Sequence, residues 1–81
     1  MQFSYDPRYN IAYIKFQKRQ AKVESVRVSD DLIVDITPDG TVYGIELLNA
    51  NEQLTREDAS AFEVINEATG QRVEFPLTLG T

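Results

Sequence analysis

Apolar and polar residues alternate through most of the first 49 positions, and a period of two commits that part of the chain to β-strands. Phe3 and Tyr5 open a short strand that Asp6-Pro7 ends, because proline supplies no ladder donor and restricts the residue before it. Ile11 to Gln17 forms a second strand. Ala12, Ile14 and Phe16 line one of its faces, while Ile11 and Tyr13 make the other apolar too. Gln17 to Gln20 is a polar turn. The third strand, Ala21 to Val28, changes phase, since Ala21 and Val23 hold odd positions and Val26 and Val28 even ones. A strand changes face only by inserting a residue, so a β-bulge or bend is expected near Glu24-Ser25. A fourth strand follows Asp30-Asp31, with Leu32, Val34 and Ile36 facing the core and Asp35 facing away.

Thr37-Pro38-Asp39-Gly40-Thr41 is the strongest local signal in the chain. Pro38 presets φ for the first central position of a type I turn, Asp39 suits the second, and Gly40 supplies the positive φ of a following bulge. The fifth strand, Thr41 to Leu48, carries Tyr43, Ile45 and Leu47 on one face. Matching that face to the fourth strand pairs Val34 with Tyr43 and Leu32 with Ile45. Beyond it, Ala50 to Leu54 suggests one helical turn. Thr55-Arg56-Glu57-Asp58 resembles a capping box, and Ala61, Phe62, Ile65 and Ala68 fall along one helical stripe that Thr69-Gly70 would stop. Val73 and Phe75 alternate in a sixth strand or extended tail before Pro76.

With 81 residues the chain holds one domain, spanning 1–81, and a core too small to bury more than about 60–65% of its unfolded surface. It has no cysteine and no histidine, which excludes disulfides, thiolate zinc sites and the commonest general base. No nucleophile–base pair can be assembled by spacing, so no enzymatic activity and no cofactor are expected. The four glycines are scattered, unlike those of a phosphate-binding loop. The N-terminus does not resemble a signal peptide, and no apolar run approaches the roughly 20 residues that span a bilayer. A cytoplasmic protein without a membrane partner is expected. The net charge of −5 disfavours nucleic acid, which needs clustered Lys and Arg. The charge is uneven: residues 1–27 carry +4 and residues 28–81 carry −9. Such asymmetry steers a partner or favours self-association, or else Lys15 to Lys22 simply solvate the end of a hairpin.

Two groups of residues are candidates for function. Asp31, Asp35 and Glu46 would share the outer face of the fourth and fifth strands, with Gly44 leaving room between them. Converging carboxylates bind divalent cations, although acids spaced along a sheet also serve only to deter edge pairing. Tyr9, Ile11 and Tyr13 form an apolar patch on the face that Ala12, Ile14 and Phe16 do not use. With one helix to cover one face, that patch is left to solvent or to another chain, and Tyr is favoured at interfaces. Tyr43 is expected inward, in the core.

Tyr5-Asp6-Pro7, then Ala12-Tyr13-Ile14, Leu32-Ile33-Val34-Asp35, Asp39-Gly40 and Val42-Tyr43-Gly44-Ile45-Glu46-Leu47-Leu48 with Ala50 together resemble a large group of small bacterial and archaeal proteins catalogued as domain of unknown function 2283. The likeness covers about residues 3–54, and its most specific part is Gly44-Ile45-Glu46 after the Asp39-Gly40 turn. Members of that family often carry an acid where this chain has Asn10. The resemblance implies a compact β-meander and names no catalytic residue. The expected fold is α+β: a five-stranded antiparallel β-meander with one C-terminal helix and a sixth strand or tail. The expected function is a non-catalytic interaction module, forming a homo-oligomer or docking on a partner protein through Tyr9, Ile11 and Tyr13. The alternative is a small-molecule or divalent-metal-binding protein that uses the acidic face.

Overall fold

A computed structural model of the protein describes residues 1–55 and 61–77. Five strands, β1 (Gln2–Asp6), β2 (Ile11–Lys15), β3 (Glu24–Ser29), β4 (Leu32–Ile36) and β5 (Val42–Leu48), form one sheet in the order β1-β2-β5-β4-β3. Every neighbouring pair is antiparallel. The helix α1 (Ala50–Thr55) follows, then β6 (Ala61–Ile65) and β7 (Arg72–Pro76), which make a separate two-stranded sheet. The fold is α+β with a meander-like strand order. None of the described helices is long and apolar enough to cross a membrane.

The order departs from a simple meander at one connection. Residues 16–23 do not turn back into a neighbouring strand. They carry the chain to the far edge of the sheet, and β5 takes the place beside β2. A strand apolar on both faces suits such an interior position, flanked by β1 and β5. The crossover is tied down where it leaves β2: Phe16 donates its amide to the Tyr43 carbonyl at 2.9 Å, and the Tyr43 hydroxyl donates to the Arg19 carbonyl at 3.1 Å. Tyr43 is buried, as expected. The phase change between Val23 and Val26 disappears once β3 begins at Glu24, because Ala21 to Val23 lie outside the sheet. The irregularity in β3 falls between Arg27 and Ser29, not near Glu24-Ser25.

The β4–β5 hairpin forms with a corrected register. Val34 faces Ile45 and Leu32 faces Leu47, two residues along from the expected pairs. A slip of two preserves the face, so the same apolar sides meet. Its cause is the turn. The Asp39 carboxylate accepts the Thr41 amide at 3.1 Å and the Thr41 hydroxyl at 2.8 Å, together with the Thr37 hydroxyl. Gly40 donates to the Thr37 carbonyl at 2.9 Å with the positive φ of 90° that only glycine adopts freely. Thr41 is thus held in the turn, pairing restarts at Ile36–Val42, and Tyr43 becomes the extra residue before Asp35–Gly44. These bonds, that from Thr37 foremost, lower the Asp39 carboxyl to about 2.

Directly paired residues share a face, so the register sorts the sheet into rows. Phe3, Ile14, Ile45, Val34 and Val26 make one row that is apolar across all five strands. Tyr5, Ala12, Leu47, Leu32 and Ser29 make the next row on the same side. The helix α1 closes only the end of this face: the Tyr5 hydroxyl meets Asn51, and Ala12 and Ala50 are fully buried. Among the described residues the buried apolar set is Ala12, Tyr43 and Ala50.

The helix expected over 61–68 is instead the strand β6. Phe62 pairs with Phe75 and Val64 with Val73, so one side of the hairpin is apolar. Cross-strand aromatic and β-branched pairs of this kind favour sheet, and Phe62, Val64 and Ile65 all have strand preference. Asn66 sets the turn, its side chain accepting the Ala68 amide at 3.0 Å while its carbonyl accepts the Gly70 amide at 2.7 Å. The sixth strand around Val73 and Phe75 is present as β7, though not in the main sheet. Thr55 ends α1 and so is no N-cap, and Arg56 to Asp58 of the capping box lie outside the described residues.

A Cβ at Gly40 would meet nothing within 4 Å, so backbone strain alone sets the effect of a substitution. Gly40→Val is expected to destabilise by about 1–3 kcal/mol, seen as a fall in Tm of roughly 4–8 °C per kcal/mol. An unchanged Tm would contradict the turn. Asp39 adds a pH signature. Its lowered carboxyl contributes stability above its usual value near 4, and that contribution is lost as pH falls towards about 2. Denaturation of Asp39→Asn between pH 5 and 2 should therefore show a shallower acid limb than wild type.

Candidate functional site

On the side of the sheet opposite the apolar row, Lys15, Gly44, Asp35 and Ser25 form one row, and Ser4, Tyr13, Glu46, Ile33 and Arg27 the next. The Tyr13 ring leans from one row to the other and lies over Gly44. A Cβ built there would come within 2.2 Å of the Tyr13 hydroxyl oxygen and 2.4 Å of the ring carbon bearing it. Glycine is needed here for close approach, since any side chain would evict the ring. The hydroxyl donates to Asp35 Oδ2 at 2.7 Å, and Ser25 donates to Asp35 Oδ1 at 2.6 Å. Burial first, and then the Asp35 carboxylate, push the Tyr13 phenol above its ordinary range. The phenol therefore stays protonated at neutral pH and donates to Asp35.

The structure separates the three carboxylates of the expected acidic face. Asp35 is held by Tyr13 and Ser25. Asp31 accepts the Asn49 side-chain amide at 2.8 Å at the other end of β4. Glu46 lies between Tyr13 and Ile33, so neither of its cross-strand partners is an acid. Among the described residues no group of three acids converges as a metal centre would require.

Of the three candidate interface residues, Ile11 and Tyr13 share the face just described, with Ile11 opposite Leu48. Tyr9 stands in the preceding turn, 71% exposed, with the Arg8 guanidinium 5.7 Å from its ring centre. The patch is thus split: Tyr13 is locked to the sheet, Ile11 is partly covered, and Tyr9 projects. Two asparagines have roles that composition does not reveal. Asn10 and Asn49 both adopt positive φ, 58° and 50°. Asn10 accepts the Ala50 amide on its carbonyl at 3.0 Å and the Asn51 amide on its side chain at 2.7 Å, which docks the start of α1 on the β1–β2 turn. The only hint was the residue type, because Asn tolerates left-handed backbone better than other non-glycine residues.

The Tyr13–Gly44–Asp35 arrangement has a thermodynamic signature. Gly44→Ala should destabilise by about 1–3 kcal/mol through overpacking. Tyr13→Phe should cost about 1–2 kcal/mol through the lost bond to Asp35. The two should not add, because the alanine already displaces the hydroxyl, and a coupling below about 0.5 kcal/mol would contradict the geometry. The unfolded phenol ionises near pH 10 while the folded one resists, so wild-type stability should decline as pH climbs above about 10. Tyr13→Phe should lack that contribution. Urea denaturation between pH 8 and 11 checks both points.

These residues can be set beside known proteins. The family model described as Protein of unknown function (DUF2283) matches residues 2–51. The match takes in the whole five-stranded sheet and the first residues of α1, and it leaves the β6–β7 hairpin outside. No curated protein and no solved structure matches the chain. Covering more than half of the 81 residues and every residue of the Tyr13–Gly44–Asp35 arrangement, the match makes this chain a member of the DUF2283 family.

Proposed function

We propose that the protein is a non-catalytic interaction module of the cytoplasm, and that it works by offering the apolar face of its sheet to another protein chain. One observation carries this reading. The row Phe3, Ile14, Ile45, Val34 and Val26 is apolar in all five strands, yet none of the five is buried, and its two ends remain 41% and 42% exposed. In a self-sufficient domain such a row would be core. Phe16 at its border is 42% exposed as well. Contiguous open apolar surface of this kind marks interaction sites. The opposite face, with Ile11 and Tyr13, is the poorer candidate because Tyr13, Asp35 and Ser25 are spent on one another. That commitment also supports a non-catalytic role, since those groups would otherwise be the ones free to act.

The test is affinity capture from a native lysate, with wild type and Val26→Glu immobilised in parallel. Val26 is on the edge strand β3 and already half-open, so a charge there alters the face with little effect on the fold. A protein retained by wild type, including the chain itself, and at least tenfold depleted on Val26→Glu supports the reading. Equal retention of every bound protein by both would end it.

A further inference from the structure

The apolar face poses a problem of width. Five strands at about 4.8 Å spacing span about 19 Å. The helix α1 is six residues long and covers one end of that span. The β6–β7 hairpin has an apolar side of its own, but only two strands. A sheet face is covered well by another sheet of similar width, packed about 10 Å away with interleaved side chains. Within this protein the surface of matching width, periodicity and twist is the same face of a second copy.

The charge pattern points the same way. An isologous contact sets a patch against its own copy, so charges on that patch are desolvated twice over and those near the axis oppose their own like. Asp6, Lys15, Arg27, Asp35 and Glu46 all occupy the opposite side of the sheet. On the apolar face Glu24, paired with Ile36 at the rim, is the one charged residue of the paired strands. Two copies can therefore meet without opposing like charges.

We infer that the protein forms a twofold homodimer in which the Phe3–Ile14–Ile45–Val34–Val26 face of one copy packs on the same face of the other. This rests on the interaction reading above and names its partner. Five strands about 17 Å long across a span of about 19 Å present a plan area of about 320 Å² per copy, well below a standard specific interface, so the dimer is expected to be weak and reversible.

Sedimentation equilibrium of the full chain between 1 and 200 µM decides the matter, with circular dichroism to confirm folding. Wild type should be dimeric at the upper concentrations. Val26→Glu and Phe3→Glu, at the two open edges of the row, should each weaken dimerisation at least tenfold, and Phe75→Glu on the hairpin should leave it unchanged. If either edge variant fails to fold, the other carries the test. A dimer sensitive to Phe75→Glu would overturn the proposal in favour of the hairpin as the cover, and a dimer indifferent to all three would place the contact elsewhere. A wild type still monomeric at 200 µM also overturns it. Should that monomer retain a Val26-sensitive partner on capture, the interaction reading survives without self-association. Should it retain none, both fall.

Discussion

The Tyr13 ring lying on Gly44, with its hydroxyl on Asp35, joins parts of the chain that connectivity leaves independent. Strands β1 and β2 form one hairpin and β3 to β5 another unit, and residues 16–23 are their only covalent link. Tyr13 belongs to the first unit and reaches across β5 to a carboxylate of β4, which in turn takes the Ser25 hydroxyl of β3. One side chain thus spans the seam. Its position also tells against a one-residue slip between β2 and β5, since the ring would then meet a side chain in place of the bare Gly44 backbone. In a domain whose buried apolar residues, among those described, are Ala12, Tyr43 and Ala50, little other packing is available to impose that register.

The small core and the open face are two aspects of the same constraint. Among the described residues, the chain adds to its five-stranded sheet only the six-residue helix α1 and the two-stranded β6–β7 hairpin. It secures its polar side with hydrogen bonds, while the apolar row stays open. Burying the row against a second sheet removes water from side chains worth about 1.5–3 kcal/mol each when fully buried. They are already partly covered, so each retains only a fraction of that gain. The contact is therefore expected to be reversible and sensitive to single charges.

Much of the sheet was legible because strand alternation is a local property. The strands around Ile11 to Lys15, Leu32 to Ile36 and Val42 to Leu48, and the turn at Gly40, follow from period and turn chemistry alone. Register was less legible, since the side-chain bonds of Asp39 enlarge the turn and no residue count reveals whether they form. The crossover at 16–23 was not legible at all, because a polar stretch between strands does not say which neighbour the chain joins next. The failure at 61–68 is instructive. Phe62 and Ile65 satisfy a helical spacing by coincidence, whereas Phe62 and Val64 satisfy a strand spacing that only their partners Phe75 and Val73 make decisive. Asn66 and Gly70 end a helix or build a hairpin turn equally well. The candidate sites were legible as residues and not as assemblies. Asp35 and Gly44 stand out in the sequence, but the pattern around Tyr13 suggests an interface and gives no sign that its ring fills the space between them.

The stretch that carries the family likeness, Gly44-Ile45-Glu46, acquires a physical meaning from its place in β5, the middle strand of the sheet. Alternation sends Gly44 and Glu46 to the locked face and Ile45 and Leu47 to the open one. Gly44 seats Tyr13, and Ile45 is the centre of the apolar row. Both faces therefore hang on adjacent residues of one strand. A shift of β5 that disturbed the tyrosine would also break the row, so the bonded side keeps the apolar row in register. The polar cluster thus also fixes the strand that carries the centre of the apolar row.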